Sequence, residues 1–210
     1  YNHQQMDREV SHILFGMGRN NTPEDTLKAY NRAISVYERL KKGEDFAELA
    51  KQFSADKSTV GQGGYLGYVT AMLPNGFYEV ENAIYNTAIG EVSKPVKSDA
   101  GYHIIKVHDQ RPARGTMEIA HILAMKDEDK PGQAEKRIRE IYQELEKGAL
   151  FEKLSRERSD DQKTANKGGY IGKIAIGQYE EAFEDAAYSL MEDGAYSQPI
   201  ETSVGWHIIK

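Results

Sequence analysis

Gly101-Tyr102-His103-Ile104-Ile105-Lys106 returns as Gly205-Trp206-His207-Ile208-Ile209-Lys210. Working outward from that pair, Gly90-Glu91-Val92-Ser93-Lys94-Pro95-Val96 is answered by Gly194-Ala195-Tyr196-Ser197-Gln198-Pro199-Ile200, and Gly63-Gly64-Tyr65-Leu66-Gly67 by Gly168-Gly169-Tyr170-Ile171-Gly172. Further back, Gly43-Glu44-Asp45-Phe46 matches Gly148-Ala149-Leu150-Phe151, and His12-Ile13-Leu14 matches His121-Ile122-Leu123, always in the same order. The two His-Ile-Leu segments lie 109 residues apart and the two closing segments 104 apart, so the first copy carries a longer loop, around Gly16 to Pro23. A period of about 105 residues exceeds the 20–50 of solenoid units and suits a domain that folds around its own core. The chain therefore reads as a tandem duplication, with domains at 6–110 and 115–210. The connector is Gln110-Arg111-Pro112-Ala113-Arg114-Gly115, short, polar and without apolar period. The start at Tyr1-Asn2-His3 and the stop at Lys210 inside a strand read as cuts from a longer chain, with the last strand shortened.

Within each copy the elements follow one order. Glu9 to Phe15 has strand composition. Thr22-Pro23-Glu24-Asp25 reads as an N-cap followed by proline at the first helical position, and Ala29, Ala33, Val36, Tyr37 and Leu40 keep helical spacing until Lys42-Gly43. Tyr30, Tyr37 and Leu40 are expected in the core. Shorter helices are read over Phe46–Phe53 and Val80–Tyr85, and Gly101 to Val107 closes the copy as a strand. The fold class is α+β: two domains, each a small, mostly antiparallel sheet with helices packed around it.

Bulk properties remove several functions. Hydrophobic residues are 39% and charged residues 29%, which fits a packed globular chain. A net charge of −6 with interleaved signs offers no basic stripe for nucleic acid. The chain has no cysteine, which excludes disulfides, thiolate metal sites and a cysteine nucleophile, and suits an oxidising cell-envelope space. No run reaches the roughly 20 apolar residues that span a bilayer, and no membrane anchor or leader is read in this segment.

The ordered motifs His-Ile-Leu, Gly-x-x-Phe-x-x-Leu, Gly-Gly-x-Leu/Ile-Gly, Gly-x-x-Ser-x-Pro-Val/Ile and Gly-x-His-Ile-Ile-Lys resemble the parvulin, or PpiC-type rotamase, domain twice over nearly the whole chain. Two such domains without cysteine resemble bacterial periplasmic chaperones of the SurA type, in which flanking segments form a separate chaperone module. The resemblance implies peptidyl-prolyl cis/trans isomerase activity on unfolded or extended proline-containing polypeptides, in the periplasm or cell envelope, with no cofactor. It assigns His12, Asp56 and His103 to the polar site of the first domain, and His121, Asp161 and His207 to that of the second. Ser98 and Thr202 match a hydroxyl position of the family. The proline slot is expected from Leu66, Met72 and Phe77 in the first domain, and from Ile171, Tyr179 and Phe183 in the second. The alignment is uneven here. Phe183 precedes Glu184-Asp185-Ala186 as the family's pocket aromatic does, whereas the strict match in the first domain is Val80, so the second domain is the stronger candidate for activity. Tyr179 stands where the family has Met.

The chemistry is undemanding in groups and strict in geometry. Rotation about a conjugated amide meets a barrier of about 18–20 kcal/mol, and X-Pro bonds turn over in tens to hundreds of seconds unaided. A catalyst must bind the twisted amide better than either planar form, which asks for an apolar slot and a few polar groups. Plainer readings compete: a strand histidine satisfied in the core, an aspartate capping a turn, Gly-Gly pairs that only form tight turns. His12 with His103 lacks a third metal ligand at fixed spacing, so no metal is expected. The loop after the first strand holds Arg19 in one copy and Lys126-Asp127-Glu128-Asp129-Lys130 in the other, a poor cradle for phosphoserine, so indifference to phosphorylation is expected. A non-catalytic binding module for extended polypeptides is the alternative.

Overall fold

A computed structural model describes residues 5–18, 22–71, 73–74 and 76–210. The chain divides into two compact units, Tyr1–Ala113 and Arg114–Lys210. The first unit runs β1 (Met6–Gly16), α1 (Pro23–Lys41), α2 (Phe46–Phe53), β2 (Tyr65–Val69), α3 (Tyr78–Asn86), β3 (Val96–Lys97) and β4 (Gly101–Pro112). The second repeats it as β5 (Thr116–Met125), α4 (Gln133–Glu146), α5 (Phe151–Arg158), β6 (Tyr170–Ala175), α6 (Glu181–Tyr188), β7 (Ile200–Glu201) and β8 (Gly205–Ile209). The sheets have the orders β2-β1-β4-β3 and β6-β5-β8-β7, with every neighbouring pair antiparallel. The α+β expectation holds in both units.

Local chemistry accounts for the helices. The Thr22 hydroxyl accepts the backbone N–H of Asp25 at 3.1 Å, Pro23 follows at a position that needs no N–H donor, and Arg39 and Lys41 sit in the last turn, where the helix carbonyls favour cations. Asp45 caps α2 by accepting the N–H of Glu48 at 2.9 Å. The equivalent cap of α5 is Leu150, whose side chain makes no such bond.

Each sheet is covered on both faces. In the first unit Ile13, Phe15 and Ile104 pack against α1 and α2, while Val10, Ile105 and Val107 pack against α3. In the second, Ile122, Ala124 and Ile208 meet α4 and α5, and Ile119 and Ile209 meet α6 through Phe183 and Ala187. Successive strand residues point to opposite faces, so Ile104 and Ile105, like Ile208 and Ile209, are both fully buried. That is why these central strands read as continuous apolar runs. Tyr30 departs from expectation: it is 39% exposed, its ring 5.2 Å from that of Tyr102. Ala29, Ala33 and Val36 define the inward stripe of α1, and the residue after Ala29 is turned about 100° away from it. Tyr37 and Leu40 lie half-buried against the core. No helix among the described residues is long and apolar enough to cross a membrane.

Among the described residues one buried side-chain hydroxyl is unmatched. The Ser155 hydroxyl in α5 has no hydrogen-bond partner although the residue is fully buried, and the first copy has Ala50 at that place. A buried hydroxyl without a partner loses its hydration for nothing, so Ser155→Ala is expected to stabilise the second unit by about 1 kcal/mol. Trp206, the only tryptophan, lies in that unit and reports its urea midpoint; a lower midpoint in the variant contradicts this.

Candidate functional site

Each unit carries the same chain of polar side chains. In the first, Asp56 Oδ2 lies 2.7 Å from His12 Nε2, His12 Nδ1 lies 3.2 Å from His103 Nδ1, and His103 Nε2 lies 2.7 Å from the Ser98 hydroxyl. In the second, Asp161 Oδ2 to His121 Nε2 is 2.8 Å, His121 Nδ1 to His207 Nδ1 is 3.2 Å, and His207 Nε2 to the Thr202 hydroxyl is 2.9 Å. The rings within each pair lie 5.4 Å apart, 27° and 25° from parallel. All four histidines are buried; the two aspartates are partly exposed. Antiparallel pairing brings the histidines together: β1 runs beside β4 and β5 beside β8, and both members of each pair point to one face.

The aspartates come from the loops after α2 and α5, which are tied back to the strand. Ser54 Oγ accepts the N–H groups of Leu14 (3.2 Å) and Asp56 (3.3 Å), and Ser159 does the same for Leu123 (3.1 Å) and Asp161 (3.3 Å). Further donors converge on each carboxylate. Asp56 Oδ2 also accepts Thr59 Oγ1–H (2.7 Å), and its Oδ1 accepts both the N–H (3.0 Å) and the hydroxyl (2.6 Å) of Ser58. Asp161 Oδ2 accepts Thr164 Oγ1–H (2.5 Å) and its Oδ1 accepts the Lys163 N–H (3.1 Å). A carboxylate offers about four lone-pair positions. Asp56 therefore has all of its positions filled, and Asp161 keeps one on Oδ1. Thr59, Thr164 and Ser58 were not singled out from sequence. The Thr-x3-Gly-Gly spacing common to both copies is the signal that marks the threonines.

With both rings of a pair neutral, the hydrogen-bond partners allow one proton arrangement. The carboxylate takes Nε2–H of the first histidine, whose bare Nδ1 accepts Nδ1–H of the second, whose bare Nε2 accepts the Ser or Thr hydroxyl. Burial, with the neighbouring imidazole adding to it, pushes His103 and His207 down to about 4. Burial also pushes His121 down, against the pull of Asp161. Burial alone would raise Asp56 and Asp161, but the hydrogen bonds from Ser58, Thr59 and His12, and from Thr164, His121 and Lys163, hold both below the usual carboxylate range.

These shifts fix a pH dependence. The folded second histidines stay neutral down to about pH 4, while their unfolded counterparts take a proton near 6.5. Between those values the unfolded chain binds more protons, so stability falls as pH falls through the window and is level above it. The loss is expected to reach about 2 kcal/mol per unit by about pH 5. Urea midpoints followed by circular dichroism read it; midpoints unchanged between neutral pH and pH 5 contradict it.

An aromatic wall stands over the second pair. Phe183, in α6 and 2% exposed, meets His207 edge-on at 5.2 Å and His121 at 6.1 Å, and Tyr179 stacks on it at 4.7 Å. The Tyr179 hydroxyl is pushed up by burial and further by the charge of Asp161. The loop bearing Tyr179 is held by Glu184, whose carboxylate accepts the N–H groups of Gly177 (3.0 Å), Gln178 (2.8 Å) and Tyr179 (2.9 Å). Ile171 packs against the Phe183 cluster. It is skipped in the ladder, since Ile119 pairs Gly172 and Ala120 pairs Tyr170; this bulge leaves Ile171 unpaired beside the histidine strand. Leu66 is skipped in the same way, between Val10↔Gly67 and Ser11↔Tyr65.

The first unit is built differently. Phe77, at the N-cap of α3, meets His103 edge-on at 5.8 Å and packs against the Val80 and Ile84 cluster, so its ring takes the place beside the second histidine that Phe183 takes from within α6. Val80, the strict match to Phe183, is a buried core residue. Leu66 is 40% exposed and joins none of the packed clusters among the described residues. Met72 lies outside the described residues.

A buried imidazole pair joined to a carboxylate and a hydroxyl on the face of a four-stranded antiparallel sheet defines the parvulin class of domain. The family described as Rotamase, PPIC-type PPIASE domain, matches residues 12–109 and again 121–210, and the chain belongs to it. It is 34% identical to a Chaperone SurA of Saccharophagus degradans over 97% of this chain and 48% of that protein, and 34% identical to a Chaperone SurA of Chromohalobacter salexigens over 96% and 47%. It thus spans about half the length of these relatives. A crystal structure of peptidylprolyl isomerase PrsA from Bacillus anthracis is 31% identical over 80% of this chain and 58% of that one, with a TM-score of 0.42.

Proposed function

We propose that the chain is the prolyl isomerase part of a folding factor, catalysing cis/trans rotation of X-Pro bonds in unfolded or extended polypeptides, with the second unit the more active. The convergence of His121, Asp161 and His207 beneath Phe183 and Tyr179 carries this reading. The planar amide places partial negative charge on its oxygen through resonance, and the twisted amide gives that charge up. A carboxylate held ionised beside the carbonyl therefore disfavours the planar forms relative to the transition state, while an apolar wall that excludes water strengthens the effect. The imidazole pair keeps the carboxylate in place, and Phe183, Tyr179 and Ile171 form the seat for the proline ring. The open lone pair of Asp161 and the filled one of Asp56 support the ranking of the units.

Phosphate is not expected to matter. In the loop after β5, Lys126 pairs with Glu201 at 3.0 Å and Lys130 with Asp127 at 3.6 Å, and beside it Arg137 of α4 pairs with Asp160. A phosphate would have to displace a carboxylate from each. The cysteine-free composition and the likeness to SurA-type chaperones support action in the periplasm or cell envelope. A second reading, that the first unit holds extended clients without turning them, is favoured by the exposed Leu66 and the fully bonded Asp56. Exchange NMR on proline peptides, with and without a phosphorylated residue before proline, tests the assignment in the 210-residue chain; no acceleration, or acceleration confined to phosphorylated peptides, overturns it.

A further inference from the structure

We infer that Thr164, and Thr59 in the first unit, is a positioning residue that clamps the site carboxylate into a closed hydrogen-bond circuit with the backbone of the first histidine. The inference rests on the proposed isomerase reading for its catalytic consequence and on geometry alone for the clamp.

The circuit can be walked atom by atom. His121 Nε2 meets Asp161 Oδ2 at 2.8 Å, the same oxygen accepts Thr164 Oγ1–H at 2.5 Å, the Thr164 carbonyl accepts Gly169 N–H at 3.0 Å, and the Gly169 carbonyl accepts His121 N–H at 2.9 Å. The chain thus returns to the histidine it left. In the first unit the same walk through Asp56, Thr59, Gly64 and His12 gives 2.7, 2.7, 2.9 and 2.8 Å. A threonine seated at a helix start ordinarily spends its hydroxyl on a free backbone N–H. Thr59 and Thr164 both occupy the N-cap position of a short 3-10 turn, Val60–Gln62 and Ala165–Lys167, and neither caps it. Both hydroxyls point at the carboxylate instead.

The circuit also explains why the turn needs its second glycine. A Cβ on Gly169 would sit 2.3 Å from the His121 carbonyl oxygen, and one on Gly64 2.1 Å from that of His12. Only a bare backbone closes the ring. Within it Thr164 has two tasks. It holds Asp161 in the rotamer that faces the histidine and the aromatic wall, and it stabilises the ionised form by donating to it, as the depressed Asp161 titration requires.

Thr164→Val keeps the shape and deletes the hydroxyl; Thr164→Ser keeps the hydroxyl. In the whole chain, carboxyl-carbon NMR of Asp161 is expected to titrate at higher pH in Thr164→Val and to return toward the wild-type curve in Thr164→Ser. Isomerisation of a proline peptide is expected to lose about tenfold in kcat with KM unchanged in the first, with recovery in the second. A folded Thr164→Val chain with a wild-type Asp161 titration overturns the clamp, and so does a serine variant that behaves like valine. The carboxyl titration stands apart from turnover, so an inactive wild-type chain would sink the isomerase reading and leave the clamp decided by NMR. If Thr164→Val does not fold, Thr59→Val with the Asp56 titration puts the same question to the first unit.

Discussion

Asp161→Asn and Asp161→Ala are both expected to slow prolyl isomerisation by the chain about a hundredfold, the size of effect seen when one electrostatic contact is removed from a transition state. Asparagine preserves the outline and one acceptor oxygen for His121 Nε2 and Thr164 Oγ1, which share Asp161 Oδ2 in the wild type, so the frame around the histidine survives while the charge and the exposed acceptor for the Lys163 N–H are lost. Alanine removes both, leaving two buried donors without an acceptor, and costs stability as well, by about 1–3 kcal/mol. If the negative charge disfavours the planar amide, the two variants are slow alike. If the carboxylate only props the imidazoles, Asn keeps most of the rate and Ala does not. The matching change Asp56→Asn is expected to leave most of the rate of the whole chain, because the first unit fields a fully bonded carboxylate beneath a less enclosed wall. Exchange spectroscopy at saturating peptide measures all three; an Asp161→Asn chain as fast as wild type removes the charge from the mechanism.

Much of this molecule is legible in its sequence. The duplication was open to reading because each copy repeats residues that geometry constrains: apolar strand centres buried on both faces, such as Ile104-Ile105, and glycines where backbones approach closely, such as Gly64 and Gly169. The histidines are legible through the motifs that carry the family resemblance, His-Ile-Leu and Gly-x-His-Ile-Ile-Lys, and strand alternation accounts for their common face. Three features were not. The bulges that leave Leu66 and Ile171 unpaired depend on ladder register, which is a property of two strands together. The swap of Phe77 for Phe183 is spatial: a ring at a helix cap and a ring inside the helix reach similar places beside the second histidine, though aligned positions differ by three. The threonine clamp was hidden because a threonine three residues after an aspartate is ordinary turn composition, and only the direction of its hydroxyl distinguishes the two uses. Tyr30 shows the opposite case: an aromatic beside a helical stripe reads as core, although one step of rotation turns it outward.

Gly169→Ala is expected to destabilise the second unit by more than about 3 kcal/mol, while Gly148→Ala, two elements earlier, costs only about 1 kcal/mol. Both glycines have positive φ, +85° and +91°, so the strain of placing an L-residue in left-handed backbone is common to both and cancels in the comparison. They differ in surroundings. Nothing lies within 4 Å of a Cβ on Gly148, which follows α4 at the surface, whereas a Cβ on Gly169 would lie 2.3 Å from the His121 carbonyl oxygen and 2.9 Å from Ser155 Oγ. Neither obstacle can retreat cheaply: the first is backbone in the central strand and the second is a fully buried helix residue. Relief requires the turn to lift away, which breaks the His121 N–H to Gly169 carbonyl bond and opens the ring that carries Thr164 and Asp161. The loss of stability and the loss of site geometry are then one event. Trp206 fluorescence in urea separates the variants, and equal midpoints for the two would show that the close approach between turn and strand does not govern the fold.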